Sequence, residues 1–211
     1  MQCLLPSLTT IMKLLINEIF YSLQGEGAQM GFPMIFIRFS MCNLRCSYCD
    51  TDFKEYTEMT LEELYQAISS YPARNILWTG GEPTLSLTEE IVEYFHQKGY
   101  RQSIETNGTH PVPQNLDYIT CSPKPEAFHL LRKNFPNGVS EWRFPFGPET
   151  PLPPNIEELP KALNYFLSPI FSPEEGTITP YPIALNACID YIKEHPEWRL
   201  SIQLHKLIGI Q

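Results

Sequence analysis

The sequence predicts an α/β fold on a mainly parallel sheet, open or curved toward a barrel, and three observations carry that expectation. Apolar, β-type runs alternate with amphipathic helical patterns through the first 121 residues, a rhythm that calls for parallel strands joined by helical crossovers. Polar and Gly-rich signatures (CDT, TGGEP, ETNG, SPK and HK) recur directly after predicted strands, and functional sites of α/β proteins gather at the carboxyl ends of parallel strands. Proline is abundant, with 20 residues against an ordinary ~5%. Half of them fall between Pro145 and Pro182, so that stretch is expected to be rich in loops and poor in long helices.

Taken in order, KLLINEIF (13–20) and MIFIRF (34–39) are predicted strands around the turn-like QGEGAQMG. Thr60 and Glu63 have capping-box spacing, and the following TLEELYQAISS sets Leu61, Leu64, Tyr65 and Ile68 on one helical face. NILWT (75–79) is a short buried-type strand running into GGEP. Ser86 and Glu89 form a second predicted capping box, opening a helix to about Lys98 that Gly99 closes. Strands follow at 100–105, 116–121, 142–146, 164–168 and, as LSIQLH, 200–205, with a helix near 183–194.

At roughly 150 residues per domain, 211 residues favour one domain with elaborations. Residues 1–12 are expected to be an N-terminal extension and 13–211 a single domain, with a Pro-rich loop region at 145–182. A hydrophobic content of 43% with 18% charged residues argues against disorder. No apolar run reaches the roughly 18 residues of a membrane span. MQCLLPSLTTIMK lacks a basic n-region and a small-residue cleavage site, so no signal peptide is expected, and Met12 is an alternative start. The formal charge of −9, without a Lys/Arg run, speaks against direct binding of nucleic acid. The six cysteines do not form a secreted disulfide framework, which fits a reducing, cytoplasmic location.

Three of those cysteines, Cys42, Cys46 and Cys49, form C-x3-C-x2-C in a loop directly after a predicted strand. Soft thiolates this close can converge on one metal centre. Zinc wants a fourth ligand, yet the nearest histidine is His96, and Asp50 beside the loop would make an uncommon set. A 4Fe–4S cluster with one iron lacking a protein ligand suits three cysteines better.

C-x3-C-x-aromatic-C, with Tyr48 before the last cysteine, resembles the signature of the radical S-adenosylmethionine (SAM) superfamily. TGGEP (79–83) resembles its glycine–glycine–glutamate segment, whose backbone receives the SAM amino group. SLQGEG (22–27), Arg38, CDT, ETNG (105–108), SPK (122–124) and HKLIGIQ (205–211) together resemble the 7-carboxy-7-deazaguanine synthase family from about Glu18 to Gln211. With the sparse helices, the resemblance implies a reduced, TIM-like partial barrel of about six mainly parallel strands. It implies radical ring contraction of 6-carboxy-5,6,7,8-tetrahydropterin with loss of ammonia, giving 7-carboxy-7-deazaguanine on the way to queuosine and other deazapurines. It also implies a 4Fe–4S cluster, SAM and Mg²⁺ as cofactors, an external one-electron reductant such as flavodoxin or ferredoxin, and a homodimer.

Residue by residue, the resemblance assigns the pterin to Leu23, Gln24, Gly25, Glu26, Arg38, Thr79, His205 and Gln211. The chemistry suits: glycine lets backbone approach a flat ring, Gln and Glu pair with its amide and amino edge, and Arg38 grips a carboxylate. The terminal carboxylate of Gln211 is expected at the pterin's donor edge, just past the predicted strand LSIQLH. SAM is assigned to Tyr48, Cys49, Asp50, Gly81, Glu82, Ser122, Pro123, Lys124, Ser168, Pro169, Ile170 and Phe171. Thr51 matches the family's Mg²⁺ ligand, a hard oxygen suited to that cation.

Cys3, Cys121 and Cys188 are expected to be incidental or buried thiols, and His96, His110, His129 and His195 show no ligand pattern. One departure from the family is Met41, where a glycine usually precedes the first cysteine; it is expected to alter packing near the cluster. Two alternatives remain at this stage. An activase that makes a glycyl radical on a partner protein would share the cysteines and TGGEP without needing SLQGEG, Arg38 and CDT. A zinc-stabilised binding module would be colourless and free of iron.

Overall fold

A computed structural model describes residues 12–47, 49, 55–171 and 182–211. One nine-stranded sheet takes in β1 (Lys13–Leu23), β2 (Pro33–Phe39), β3 (Thr57–Thr60), β4 (Asn75–Gly80), β5 (Arg101–Thr106), β6 (Tyr118–Cys121), β7 (Val139–Phe146), β8 (Ala162–Pro169) and β9 (Arg199–Leu200). Its order is β3-β1-β2-β4-β5-β6-β7-β8-β9. From β2 to β9 every neighbouring pair is parallel, whereas β1 lies antiparallel between β3 and β2. The α/β expectation therefore holds, with seven parallel strands and a two-strand antiparallel edge. The sheet ends at β3 and β9 and stays open, so the partial barrel does not close.

Among the described residues five α-helices accompany the sheet: α1 (Leu61–Ile68), α2 (Glu89–Gln97), α3 (Leu131–Asn134), α4 (Pro182–Glu194) and α5 (Leu204–Ile208). At α1 the predicted capping box is present, with the Thr60 hydroxyl accepting from Glu63 N and the Glu63 carboxylate from Thr60 N. Leu61, Leu64 and Ile68 then bury the apolar stripe. Ser86 does not open α2. Its N–H closes a tight turn on Pro83 O, so the helix begins three residues later and Thr88 accepts from Ile91 N.

The large core lies between the helices and one sheet face, where Ile35, Ile37, Phe39, Ile76, Trp78 and Ile104 meet Leu64, Ile91 and Phe95. Each such side chain removed from water contributes roughly 1.5–3 kcal/mol. Trp78 packs edge-on against Phe95 at 5.4 Å and donates its indole N–H to Gln102 Oε1, whose amide in turn donates to Val92 O. A second, small cluster of Phe20, Met34, Phe36 and Leu77 is separate from this core. Because strand side chains alternate, its Phe36 and Leu77 stand on the sheet face opposite Ile35, Ile37, Ile76 and Trp78.

Two expectations fail here. β3 was missed: TEMT is four residues long and mostly exposed, so it carries no apolar period. LSIQLH is not a strand beyond Leu200. The alternation of Leu200, Ile202 and Leu204 imitates one, but the chain turns away at Ser201, and α5 starts at Leu204, whose N–H donates to Gly25 O.

Candidate active site

A cavity of about 280 Å³ opens beside the small aromatic cluster. One wall is made by segments leaving the carboxyl ends of the parallel strands: the cysteine loop after β2, Gly80–Gly81 after β4, Asn107 after β5, Ser122 and Lys124 after β6, and Ser168–Phe171 at the end of β8. The opposite wall is the loop Gln24–Glu26 together with Gln203, His205, Lys206 and Gln211. Arg38, Thr79, Glu105 and Arg143 stand between the two walls. Strand register explains their gathering, since Arg38 pairs with Thr79 across β2–β4, and Glu105 and Glu141 both pair with Thr120 of β6.

Cys42, Cys46 and Cys49 all line this cavity as free thiols. Among the described residues no three His, Cys, Asp or Glu side chains converge as ready-made ligands of a single metal ion. Three soft donors facing one space instead fit a cluster, which is broader than an ion and takes one thiolate per iron. Burial pushes the Cys46 thiol up, and Cys49 and Cys42 add to the rise against the opposing Lys124, so a positively charged iron centre is what would hold it as thiolate. Lys124 is itself pulled below its usual value by burial, partly offset by Cys46 and Cys121, and its ammonium donates to Ser122 O and Oγ.

The loop owes its position to the glycine segment. Gly81 N donates to Phe39 O and Glu82 N to Met41 O, at 2.8 and 2.7 Å. A Cβ on Gly81 would lie 1.9 Å from Met41 O, so only glycine permits this approach. Met41 itself is 51% exposed.

Glu82 is also placed differently from its assignment. Its carboxylate is 1% exposed and spent inside the fold, accepting from Thr84 N, Thr84 Oγ1, Thr106 Oγ1 and Asn107 N. Neither Glu82 nor Pro123 lines the cavity, so neither side chain is available to SAM there. Asn107 continues the chain of contacts, donating to Asn43 within the cysteine loop. Ser168 lines the cavity but gives its hydroxyl to Ser201 O.

On the opposite wall, Gln24 is buried and donates to Glu105 Oε1 while accepting from Glu26 N. A Cβ on Gly25 would meet His205 Nδ1 at 2.1 Å, so the imidazole lies directly on the glycine backbone. Gln203 donates to Glu26, Ser22 donates to Gln211 O, and the Gln211 side-chain amide donates to Glu18. Arg38 makes a long 3.5 Å pair with Glu18, and its buried Nε has no hydrogen-bond partner. Tyr48, Asp50 and Thr51 lie outside the described residues.

Sequence reasoning missed a buried charge cluster. Arg143 contacts Glu26 at 3.0 Å, Glu105 more closely, and Glu141 at 3.7 Å. The available signal was an arginine in the apolar run WRFPF, where a charge needs partners if the strand is buried on both faces.

Residues 36–139 match the Radical SAM superfamily. The chain is 42% identical over 197 residues to the 7-carboxy-7-deazaguanine synthase of Bacteroides thetaiotaomicron, covering 93% of this chain and 98% of that protein. It is 38% identical over 198 residues to the enzyme of that name from Haemophilus influenzae, covering 93% of each. The crystal structure of QueE from Escherichia coli aligns with a TM-score of 0.67 at 25% identity, over 93% of this chain and 96% of that one.

Proposed function

The chain belongs to the 7-carboxy-7-deazaguanine synthase family of radical SAM enzymes, and on that premise we propose how its own residues serve the reaction. It is a lyase that contracts the ring of 6-carboxy-5,6,7,8-tetrahydropterin to 7-carboxy-7-deazaguanine with loss of ammonia. When bound, the 4Fe–4S cluster and SAM supply the one-electron chemistry and the hydrogen abstraction that starts the contraction.

Cys42, Cys46 and Cys49 hold the cluster, and the carbonyls of the Gly80–Gly81 segment receive the SAM amino group. Gln24, Glu26, Thr79 and His205 take the pterin ring, with Gly25 giving it close backbone approach. Arg38 takes the substrate carboxylate. The observation that supports this is the meeting of the three thiols, the glycine segment, the QGEG loop and Arg38 around one cavity.

Thr51 would hold Mg²⁺ as a hard-oxygen ligand, an external reductant such as flavodoxin or ferredoxin would feed the cluster, and the enzyme would work as a cytoplasmic homodimer of single-domain chains spanning 13–211. Among the described residues no helix is long and apolar enough to cross a membrane.

The test is anaerobic reconstitution with iron and sulfide, then incubation with SAM, reductant, Mg²⁺ and the carboxytetrahydropterin. Formation of 7-carboxy-7-deazaguanine is expected. A protein that assembles its cluster and cleaves SAM but leaves the pterin unchanged overturns the substrate.

A further inference from the structure

Arg143 sits on β7 with its side chain 4% exposed and lines the cavity between the two walls. Its Nη1 faces Glu26 of the QGEG loop at 3.0 Å and Glu141 at 3.7 Å, while Nη2 faces Glu105 of β5. Glu26 and Glu105 arrive from segments 79 residues apart in sequence (105 − 26) and both line the cavity. Without a shared cation, two carboxylates this close repel, and one of them takes a proton. We propose that Arg143 is a positioning residue that joins Glu26 and Glu105 into one ionised, acceptor-only face for the donor edge of the substrate. This rests on the pterin reading above and says how the enzyme keeps that edge's acceptors charged.

The surroundings agree. Burial alone would raise the Glu105 carboxyl, yet Arg143 and hydrogen bonds from Gln24 and Thr79 hold it below the usual carboxylate range. Other charged or titratable groups face the cluster from every side: Glu141 beside Arg143, Tyr118 of β6 on Glu141, Lys124 after β6, Arg38 of β2, and His205 of α5 against Gly25. Glu141 is turned away from the substrate side, accepting from Ala28 N and the Tyr118 hydroxyl, which leaves Glu26 and Glu105 as the pair presented to a ligand. An acceptor-only face of this kind binds N–H donors and repels ligand carbonyls.

The test is equilibrium binding of the carboxytetrahydropterin to the reconstituted enzyme with SAM but without reductant, between about pH 5.5 and about pH 8, in wild type, Arg143→Gln and Arg143→Lys. For Arg143→Gln, affinity is expected to fall roughly tenfold or more at the upper end, and further as pH drops, because the carboxyl pair takes up a proton. Comparing variant with wild type at each pH cancels the pH dependence common to both proteins. Arg143→Lys keeps the charge but loses the fork, so it should bind more weakly by a factor that does not change with pH. Iron content and the visible absorption of the cluster should match wild type in both. An Arg143→Gln deficit that is independent of pH, or smaller than about twofold, overturns the proposal. If Arg143→Gln does not fold, wild-type affinity in Arg143→Lys overturns it. Wild-type enzyme that never binds the pterin overturns the substrate reading and this inference with it, whereas normal wild-type binding with an unaffected variant overturns this inference alone.

Discussion

Replacing Glu82 with alanine separates a structural glutamate from a cofactor contact. The Glu82 carboxylate accepts four hydrogen bonds, from Thr84 N at 3.1 Å, Thr84 Oγ1 at 2.6 Å, and Thr106 Oγ1 and Asn107 N at 2.7 Å each. Thr84 can turn to water, but Thr106 and Asn107 are buried and cannot. The variant therefore strands a hydroxyl and a backbone N–H in addition to losing charge-assisted bonds. Each stranded group costs about 1–3 kcal/mol, so a total loss of ~3–5 kcal/mol is expected. For a chain of this size, at about 2–4 °C per kcal/mol, that lowers Tm by about 6–20 °C. The assay is thermal and urea unfolding of the cluster-free protein, in which no SAM contact can contribute. Glu82→Gln keeps the shape and the acceptor toward Thr84 and Thr106 but turns an amide N–H toward Asn107 N, so an intermediate loss is expected. A Glu82→Ala protein within about 1 kcal/mol of wild type would refute the reasoning and return Glu82 to the cofactor.

Alanine at Cys42, Cys46 or Cys49 should abolish cluster iron and SAM cleavage, while Cys121→Ala and Cys188→Ala, at buried thiols, should keep both; metal analysis and absorption spectra decide. Gly25→Ala drives a methyl into His205 and should weaken pterin binding by roughly tenfold or more with the iron content unchanged, as measured by equilibrium binding. The Asp117 carboxyl is raised by burial but lowered overall by His96, Gln102 N and Arg101. Its contribution to stability is thus present above the ordinary aspartate value of ~3.9 and is lost as pH falls through the lowered folded value. Asp117→Asn should accordingly flatten the acid limb of the unfolding free energy plotted against pH and leave the neutral region parallel to wild type.

What could be read from the sequence follows the range over which each signal acts. The cysteine loop was legible because its three ligands fall within eight residues, and the Thr60 cap because its two partners are three residues apart. Ser86 misled because the capping-box rule fits Ser86 with Glu89 and not Thr88 with Ile91, while the tight turn at Pro83 takes up the Ser86 N–H and leaves Thr88 as the cap. LSIQLH carries a strand's alternation, but its backbone partner, Gly25, lies far away in sequence, and no local pattern reports that. Arg143 is the same problem in electrostatics: the apolar run WRFPF signals that the charge needs partners, but Glu26 and Glu105, which supply them with Glu141, lie far away in sequence.

This difference in range divides the site into two halves that should fail differently. The cluster side is stitched by backbone hydrogen bonds, Gly81 N to Phe39 O and Glu82 N to Met41 O, which no side-chain substitution at position 41 removes. The substrate side is held by side chains reaching across the chain: Gln203 to Glu26, Ser22 to Gln211, and His205 on Gly25. Such contacts join segments from opposite ends of the chain, the β1 end and the last helix. Removing residues 209–211 should then weaken pterin affinity while leaving iron content and the absorption spectrum intact. Equal affinity in the shortened and full-length proteins would mean that the loop Gln24–Glu26 is held by Arg143 and the Gln203–His205 segment alone.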